Sequence, residues 1–526
     1  MKILGKKLVG YARYNRKDVI DSILQSSSAQ NTFAELAQKK HQSPQVSEKK
    51  AYEILMELTS ACNPNALRVC YWIVKFLKKF MFKSIALYGE EKKEIYKLTS
   101  EGKVLFYLPN HKSHMDYLLL SYILFNDEVA PPHIAAGVNL AFFPVGGLFR
   151  RTGAYFIRRK IAGNFLYTKF LQHYFDWMLQ EKISQEFYME GGRSRDGKIR
   201  EAQSGIFTLF LEQIIARGLQ DQVYFVPTAI TYDRLPEMKG MLGELKGAEK
   251  EKESAFSVLG SLSMLWTDHG QVHIQFGKPI PLQSLVQTTF SKKDFHALSK
   301  QIFTQVQKQK TTTVSSLVAL VLLSTTSTIE QSEAYERVEW LMQFLKPCRQ
   351  CISEELANLQ KDWDQILQRF EKLGWFERQG SKIRVNATRR VEMNYYKNDL
   401  FPVLMPFFEK KNDHIAAIFE HEYPYANHSN KKRNLAENEI AFLNQVTQPM
   451  LGFYKAVLNE ITERKIENLL GKDAQKNILA YMSAKKFEYP EMITTEAVKS
   501  ACLFFHTHAH DLKDSAIVDS WNKILN

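Results

Sequence analysis

Cysteine is scarce, with five in 526 residues at positions 62, 70, 348, 351 and 502. So few and so scattered thiols cannot staple a chain of this length, and a reducing compartment is the simpler reading. Long apolar runs are missing as well. The nearest candidate, Leu317 to Leu323, is far short of the ~20 residues that cross a bilayer, so membrane contact is expected from one side only. In the basic opening, MKILGKKLVGYARYNRKD, the apolar stretches are broken by Lys6, Lys7 and Arg13. No signal-peptide core follows, and export is not expected. The chain also lacks a Gly-x-Ser-x-Gly elbow, which argues against a serine acyl-enzyme. Gly192 to Lys198 opens like a nucleotide P-loop, but Ile199 stands where a magnesium-binding hydroxyl is needed. No second pair joins Cys348 and Cys351 to complete a zinc site. In the run His506 to Asp511 only His506 and His510 would share a helical face, so no metal is expected.

What is present is positive charge. Seventy Lys and Arg against 57 Asp and Glu give +13, a surplus that attracts phosphate in nucleic acid, anionic lipid or small metabolites. The length calls for two or three units with at least one sizeable core. Ser26 to Lys50 is polar and reads as a leader or a surface helix. Residues 66–88 sort on a helical wheel into Val69, Ile73, Phe76, Leu77 and Phe80 on one side. Arg68, Lys75, Lys78, Lys79 and Lys83 fall on the other. Such a helix either lies in a lipid interface or is an ordinary packed helix with a solvated edge.

Between about Lys103 and Pro281, short β-branched or aromatic runs alternate with helical stretches. The runs are 104–108, 133–136, 154–157, 186–190, 223–231 and 272–276; Asp116 to Leu124 and Asn164 to Leu179 are the clearest covering helices. This alternation predicts an α/β fold with a mixed central sheet flanked by helices. Beyond about Phe290 strand signals nearly vanish, and 332–345, 352–373 and 437–470 look helical. The expected division is a helical N-terminal region over 1–95, a catalytic domain over 96–290 and a helical C-terminal domain over 291–526.

Four clusters carry chemistry. Asn110-His111-Lys112-Ser113-His114-Met115-Asp116 follows a predicted strand and opens a predicted helix. A carboxylate one turn into that helix can hold one imidazole proton and leave the other nitrogen basic, a step worth ~10²–10⁴-fold. His111 is the candidate base and Asp116 its partner, with His114 secondary. Gly146 to Arg159 brackets a short strand with two arginine pairs, Arg150–Arg151 and Arg158–Arg159, and a planar guanidinium grips phosphate bidentately. In Tyr188-Met189-Glu190-Gly191-Gly192-Arg193-Ser194-Arg195-Asp196-Gly197-Lys198, backbone amides, Arg193 and Ser194 can cradle an anion. Glu190 there orients a substrate hydroxyl or has a structural partner. Last, Tyr224 to Ile230 is an apolar strand broken by Pro227, which places it at an edge or bulge.

In order and spacing, NHKSHMD, GGLFRRTGAYFIRR, YMEGGRSRDG and FVPTAI resemble the four motif blocks of the glycerolipid acyltransferases, most closely the glycerol-3-phosphate 1-O-acyltransferase family with its dihydroxyacetone-phosphate relatives. Glu244 to Gly247, Glu251 to Ser254 and Val272 to Ile280 extend the resemblance. It implies that His111 and Asp116 are the catalytic pair. It also implies that Arg158, with Arg150 or Arg151, Glu190, Gly192, Arg193 and Ser194 bind glycerol 3-phosphate, and that Pro227 marks the fourth block. Implied donors are acyl-CoA or acyl-carrier protein, with no cofactor. The implied location is the cytoplasmic face of an inner membrane, against its anionic surface. About 100 residues precede the blocks, where long bacterial members of the family carry a larger region.

Within this class, acylation of dihydroxyacetone phosphate or of a lysophospholipid needs the same base and a similar anion grip. The rival from another class is a basic nucleic-acid-binding protein. Its basic residues should line an aromatic platform, whereas here they cluster at strand ends, so nucleic acid is not the expected partner. Backbone amides at the His111 corner are the candidate oxyanion donors.

Overall fold

The structure is a computed structural model. It describes residues 2–40, 43–138, 141, 145–158, 161, 163–245, 267–286, 290–325, 327–346, 351–404, 413–426, 437–464, 466, 468–484, 489–508 and 518. The expectations for Arg159, Glu251 to Ser254, Cys348 and His510 to Asp511 lie outside the described residues. The chain forms two compact units. One comprises residues 1–192, 201–231 and 252–306, the other 193–200, 232–251 and 307–526.

The first unit is built on an eight-stranded sheet: β1 (Ser84–Tyr88), β2 (Val104–Pro109), β3 (His133–Gly137), β4 (Ala154–Ile157), β5 (Gln185–Glu186), β6 (Val223–Tyr232), β7 (Gln271–Phe276) and β8 (Ile280–Pro281). The order is β1-β7-β6-β2-β5-β3-β4, with β8 on β6. Pairing is parallel for β1 with β7, β2 with β5 and β6, and β3 with β4 and β5; β8 runs antiparallel to β6. The sheet is therefore mixed and mostly parallel. β2 is buried along its whole length, as its unbroken apolar run requires of a central strand with both faces covered. Phe106 on β2 meets Phe207, Phe210 and Phe225 edge to face at 5.3–6.3 Å, the geometry that aromatic quadrupoles favour.

Covering helices are α1 (Pro44–Leu58), α2 (Pro64–Met81), α3 (Asp116–Asn126), α4 (Val145–Arg150), α5 (Phe165–Gln180) and α6 (Gly205–Ala216). The polar stretch after Ser26 is helical, over Ser27–Lys40 and α1. The helix expected over 66–88 stops at Met81, where Phe82 turns extended, and Ser84–Tyr88 becomes β1. Its apolar residues also divide differently: Leu67, Val74, Leu77 and Met81 face the core, while Val69, Trp72, Ile73 and Phe76 are 40–58% exposed.

Two strand expectations need correction. Of the run 186–190 only Glu186 is strand, in β5, and Phe187 N–H makes one more bond to the Tyr107 carbonyl before the chain turns at Tyr188, whose carbonyl accepts from Gly191 N–H. Pro227 lies inside the sheet, not at an edge. Its carbonyl accepts from Gly277 N–H at 2.7 Å, in the gap between β7 and β8. In a strand the N–H and C=O of one residue face the same side, so the donor that proline lacks would have pointed into that gap.

In the second unit α7 (Met238–Leu245), α8 (Val314–Leu323), α9 (Arg390–Leu404), α10 (Asp413–Glu422) and α11 (Glu437–Glu463) are the elements used below. The apolar run 317–323 is the body of α8, all of whose residues are buried. No helix among the described residues is long and apolar enough to cross a membrane. A three-stranded antiparallel sheet joins the helices, formed by β9 (Thr328–Glu330), β10 (Phe376–Gln379) and β11 (Lys382–Val385) in the order β9-β11-β10. The helical expectation for this region missed it.

Candidate active site

β2 delivers the chain into the His111 corner. Asn110 fixes the exit: its side chain donates to the Ile230 carbonyl at 3.0 Å and accepts from the Ile230 N–H at 2.8 Å. These two bonds continue the β2–β6 ladder through a side chain. The His111 amide then donates to Glu190 Oε1 at 2.6 Å. Five residues later the chain enters α3, whose first residue is Asp116.

Asp116 is fully buried, and its Oδ2 accepts three hydrogen bonds. They come from His111 Nδ1 at 2.9 Å, Lys112 N–H at 2.7 Å and Ser113 N–H at 2.9 Å. A carboxylate oxygen held by two amides at the start of a helix is fixed in position. It fixes the proton on Nδ1 and leaves Nε2 as the basic nitrogen. The His111 side chain keeps 13% of its surface accessible, and its ring lies 4.1 Å from that of Tyr188. His114, the secondary candidate, is buried with its ring edge-on to Tyr117.

Four of the amides at this corner, the expected oxyanion donors, are already engaged. The amides of His111, Lys112 and Ser113 go to Glu190 and Asp116, and Met115 N–H goes to Ser113 Oγ.

Two residues to which the sequence assigned no role lie close to the pair. The Tyr188 hydroxyl donates to Glu186 at the end of β5, which links the ring against His111 to a fully buried carboxyl. Burial above all, with Asp116 adding and the Tyr188 hydroxyl opposing, raises the Glu186 pKa to about 8. An isolated reading of EFYME as alternating strand residues gave no cue to this. Asn110 likewise looked like spacer.

The arginines of the second block meet protein partners. Arg150 Nη1 donates to the Glu57 and Thr59 carbonyls, both at 2.8 Å, and the guanidinium lies over the Phe156 ring. Burial and then the Arg16 charge lower its pKa to about 10. Arg158 forms a two-pronged pair with the Glu57 carboxylate, stays 41% exposed, and covers the Tyr167 ring. That hydrogen bonding with Glu57 raises the Arg158 pKa. Arg151 is exposed and caps the Gly147 carbonyl. Both arginine positions 150 and 158 thus tie the block to α1.

The third block is divided between the units. Glu190, 3% exposed, and Gly192 belong to the first, and Arg193 and Ser194 to the second. Arg193 lies 3.7 Å from Glu237, both side chains 11% exposed. Ser194 Oγ accepts from Gly197 N–H at 3.0 Å.

Residues 87–231, which include the central strand β2 and the His111–Asp116 contact, match the family model described as Acyltransferase. Residues 241–407 match the model of the glycerol-3-phosphate acyltransferase C-terminal region. The glycerol-3-phosphate acyltransferase of Shewanella woodyi is 30% identical over 433 residues, 76% of this chain and 52% of that protein. Its counterpart from Shewanella amazonensis is 30% identical over 421 residues, 75% of this chain and 51% of the relative. The chain is similar to the glycerol-3-phosphate acyltransferases, and it spans about half the length of the curated relatives it matches. A crystal structure of the 1-acyl-sn-glycerophosphate acyltransferase from Thermotoga maritima aligns with a TM-score of 0.28 and 16% identity, over 45% of this chain and 78% of that one.

Proposed function

We propose that the protein transfers a fatty acyl group from a thioester, on coenzyme A or acyl-carrier protein, to the sn-1 hydroxyl of glycerol 3-phosphate. The observation that carries this reading is the His111–Asp116 contact at 2.9 Å in a chain similar to glycerol-3-phosphate acyltransferases. His111 Nε2 takes the hydroxyl proton as the oxygen attacks the thioester carbonyl. The C–O bond forms, the tetrahedral intermediate collapses, the C–S bond breaks, and the proton passes from the imidazolium to the departing thiolate. Asp116 carries the opposing negative charge throughout. The products are lysophosphatidate and free thiol.

The phosphate of the acceptor is assigned to Arg193 and Ser194, with the Gly192 amide and Arg158. Arg193 follows Glu190 by three residues, so chain length alone holds their Cα atoms within about 11 Å. Glu190 acts by holding the His111 amide. Arg150 and Arg151 contribute positive charge.

The product belongs in lipid, and α2 supplies a place to meet it. Val69, Trp72, Ile73 and Phe76 form an exposed apolar strip, with Lys75 over the Trp72 ring and Lys79 over that of Phe80. An apolar strip rimmed by lysine suits peripheral attachment to an anionic surface on the cytoplasmic side. α2 packs on α3 through Tyr71 and Tyr122, rings 5.3 Å apart, so the strip lies one helix away from Asp116.

The test is thiol release from acyl-CoA or acyl-carrier protein with glycerol 3-phosphate, dihydroxyacetone phosphate or lysophosphatidate as acceptor. Fastest turnover with glycerol 3-phosphate is expected. Preference for lysophosphatidate would move the acceptor, and binding of nucleic acid without any acyl transfer would replace the reading.

A further inference from the structure

Residues 193–200 stand among the acyltransferase blocks in sequence but fold as part of the second unit. The segment has no helix or strand of its own, so its shape depends on what grips it. Gly197 has φ +87° and approaches α9 so closely that a Cβ there would lie 2.0 Å from the Tyr395 carbonyl oxygen. Only glycine allows that approach. The Asn398 amide donates to the Asp196 carbonyl at 2.9 Å and accepts from the Tyr423 hydroxyl at 2.9 Å.

At the centre is a buried ion pair between residues 224 positions apart. Lys198 Nζ bonds Glu422 at the end of α10; their side chains are 14% and 3% exposed. Glu422 also accepts from the Tyr454 hydroxyl on α11, and Lys198 lies 5.1 Å above the Tyr423 ring and 3.6 Å from the Asp196 carboxylate. Burial by itself would neutralise Lys198, but Glu422 and Tyr423 hold its pKa above 10.5. A buried pair of this kind is a weak source of stability, since packed apolar residues would serve as well, and its best-attested use is to fix one geometry among several.

The geometry fixed here is that of the segment beginning Arg193-Ser194. We propose that Lys198 and Glu422 are positioning residues for acceptor recognition. Their pair locks the 193–200 segment so that Arg193 and Ser194 are presented to the acceptor's phosphate. The proposal rests on the reading that Arg193 contacts that phosphate.

The experiment measures steady-state kinetics of the full chain with glycerol 3-phosphate varied at saturating acyl donor, and the reverse. Arg193→Ala is the reference. Lys198→Met and Glu422→Gln are expected to raise the acceptor KM roughly tenfold or more, with kcat and the donor KM within about threefold. The reversed pair, Lys198→Glu with Glu422→Lys, is expected to recover most of the acceptor KM lost by Lys198→Glu alone. Tyr454→Phe removes a single hydrogen bond to Glu422 and should shift the acceptor KM in the same direction by less. It keeps the test open if Lys198→Met does not fold. An acceptor KM raised in Arg193→Ala but unchanged in Lys198→Met, Glu422→Gln and Tyr454→Phe overturns the lock alone. An acceptor KM unchanged in Arg193→Ala overturns the phosphate assignment, and the lock with it. Equal losses in kcat and in both KM values would mean a general structural role and would also refute the proposal.

Discussion

Replacing Asp116 by Asn tests the charge in the dyad separately from its geometry. Three donors converge on one oxygen of Asp116, Oδ2: His111 Nδ1 and the amides of Lys112 and Ser113. An asparagine that keeps its carbonyl oxygen there satisfies the same donors, and the two amides select that orientation over the flipped one. The imidazole tautomer therefore survives, and what disappears is the negative charge facing the imidazolium that forms during proton transfer. With about 4 Å between charge centres and an effective dielectric near 20, that attraction is about 4 kcal/mol. Partial proton transfer in the transition state realises a fraction of it. Asp116→Asn is thus expected to lower kcat by about 10²–10³-fold, with the acceptor KM within about threefold and little change in melting temperature. Asp116→Ala removes the acceptor as well and orphans two amides at about 1–3 kcal/mol each, so it should lose both activity and stability. The assay is thiol release at saturating substrates, with thermal melts of each variant alongside. A kcat within fivefold of wild type for Asp116→Asn would refute the argument.

Two further outcomes follow from other parts of the molecule. Burial holds the folded Glu186 pKa at about 8 against an ordinary value of 4.5, so between those values the unfolded chain has lost a proton that the folded chain keeps. Stability should fall as pH rises through that window, by at most about 1.4 kcal/mol per pH unit. Glu186→Gln should remove this slope, and parallel melting curves for the two proteins from pH 5 to 7.5 would contradict it. Trp72→Glu with Phe76→Glu should reduce binding to anionic vesicles by tenfold or more, since each buried aromatic is worth about 1.5–3 kcal/mol. Wild-type binding should also weaken with added salt; unchanged partitioning of the double variant would remove α2 from that role.

The sheet was legible because its strands are short apolar runs between helical stretches, and burial on both faces demands such runs. β4 and β6 fall within a residue of the expected bounds. The His111–Asp116 contact was legible for a local reason: a strand-to-helix corner of this length leaves the two side chains few other places to be. Pro227 misled because an edge was the general rule, whereas the local exception depends on Gly277, 50 residues later. The β10–β11 hairpin was hidden by charged residues alternating along FERQGSKIRV, where one face is solvated. Asn110, Glu186 and Glu57 could not have been recognised from spacing, since their partners Ile230, Tyr188 and Arg158 gain meaning only once the sheet and α1 are assembled.

The base assignment is most directly examined by comparing His111→Ala with wild type in the formation of 1-acyl-glycerol 3-phosphate, followed by mass spectrometry of the lipid product. Loss of Nε2 should cut product formation by at least 10²-fold while the folded protein still binds vesicles. Product formed by His111→Ala at a rate close to that of wild type would show that another group removes the hydroxyl proton.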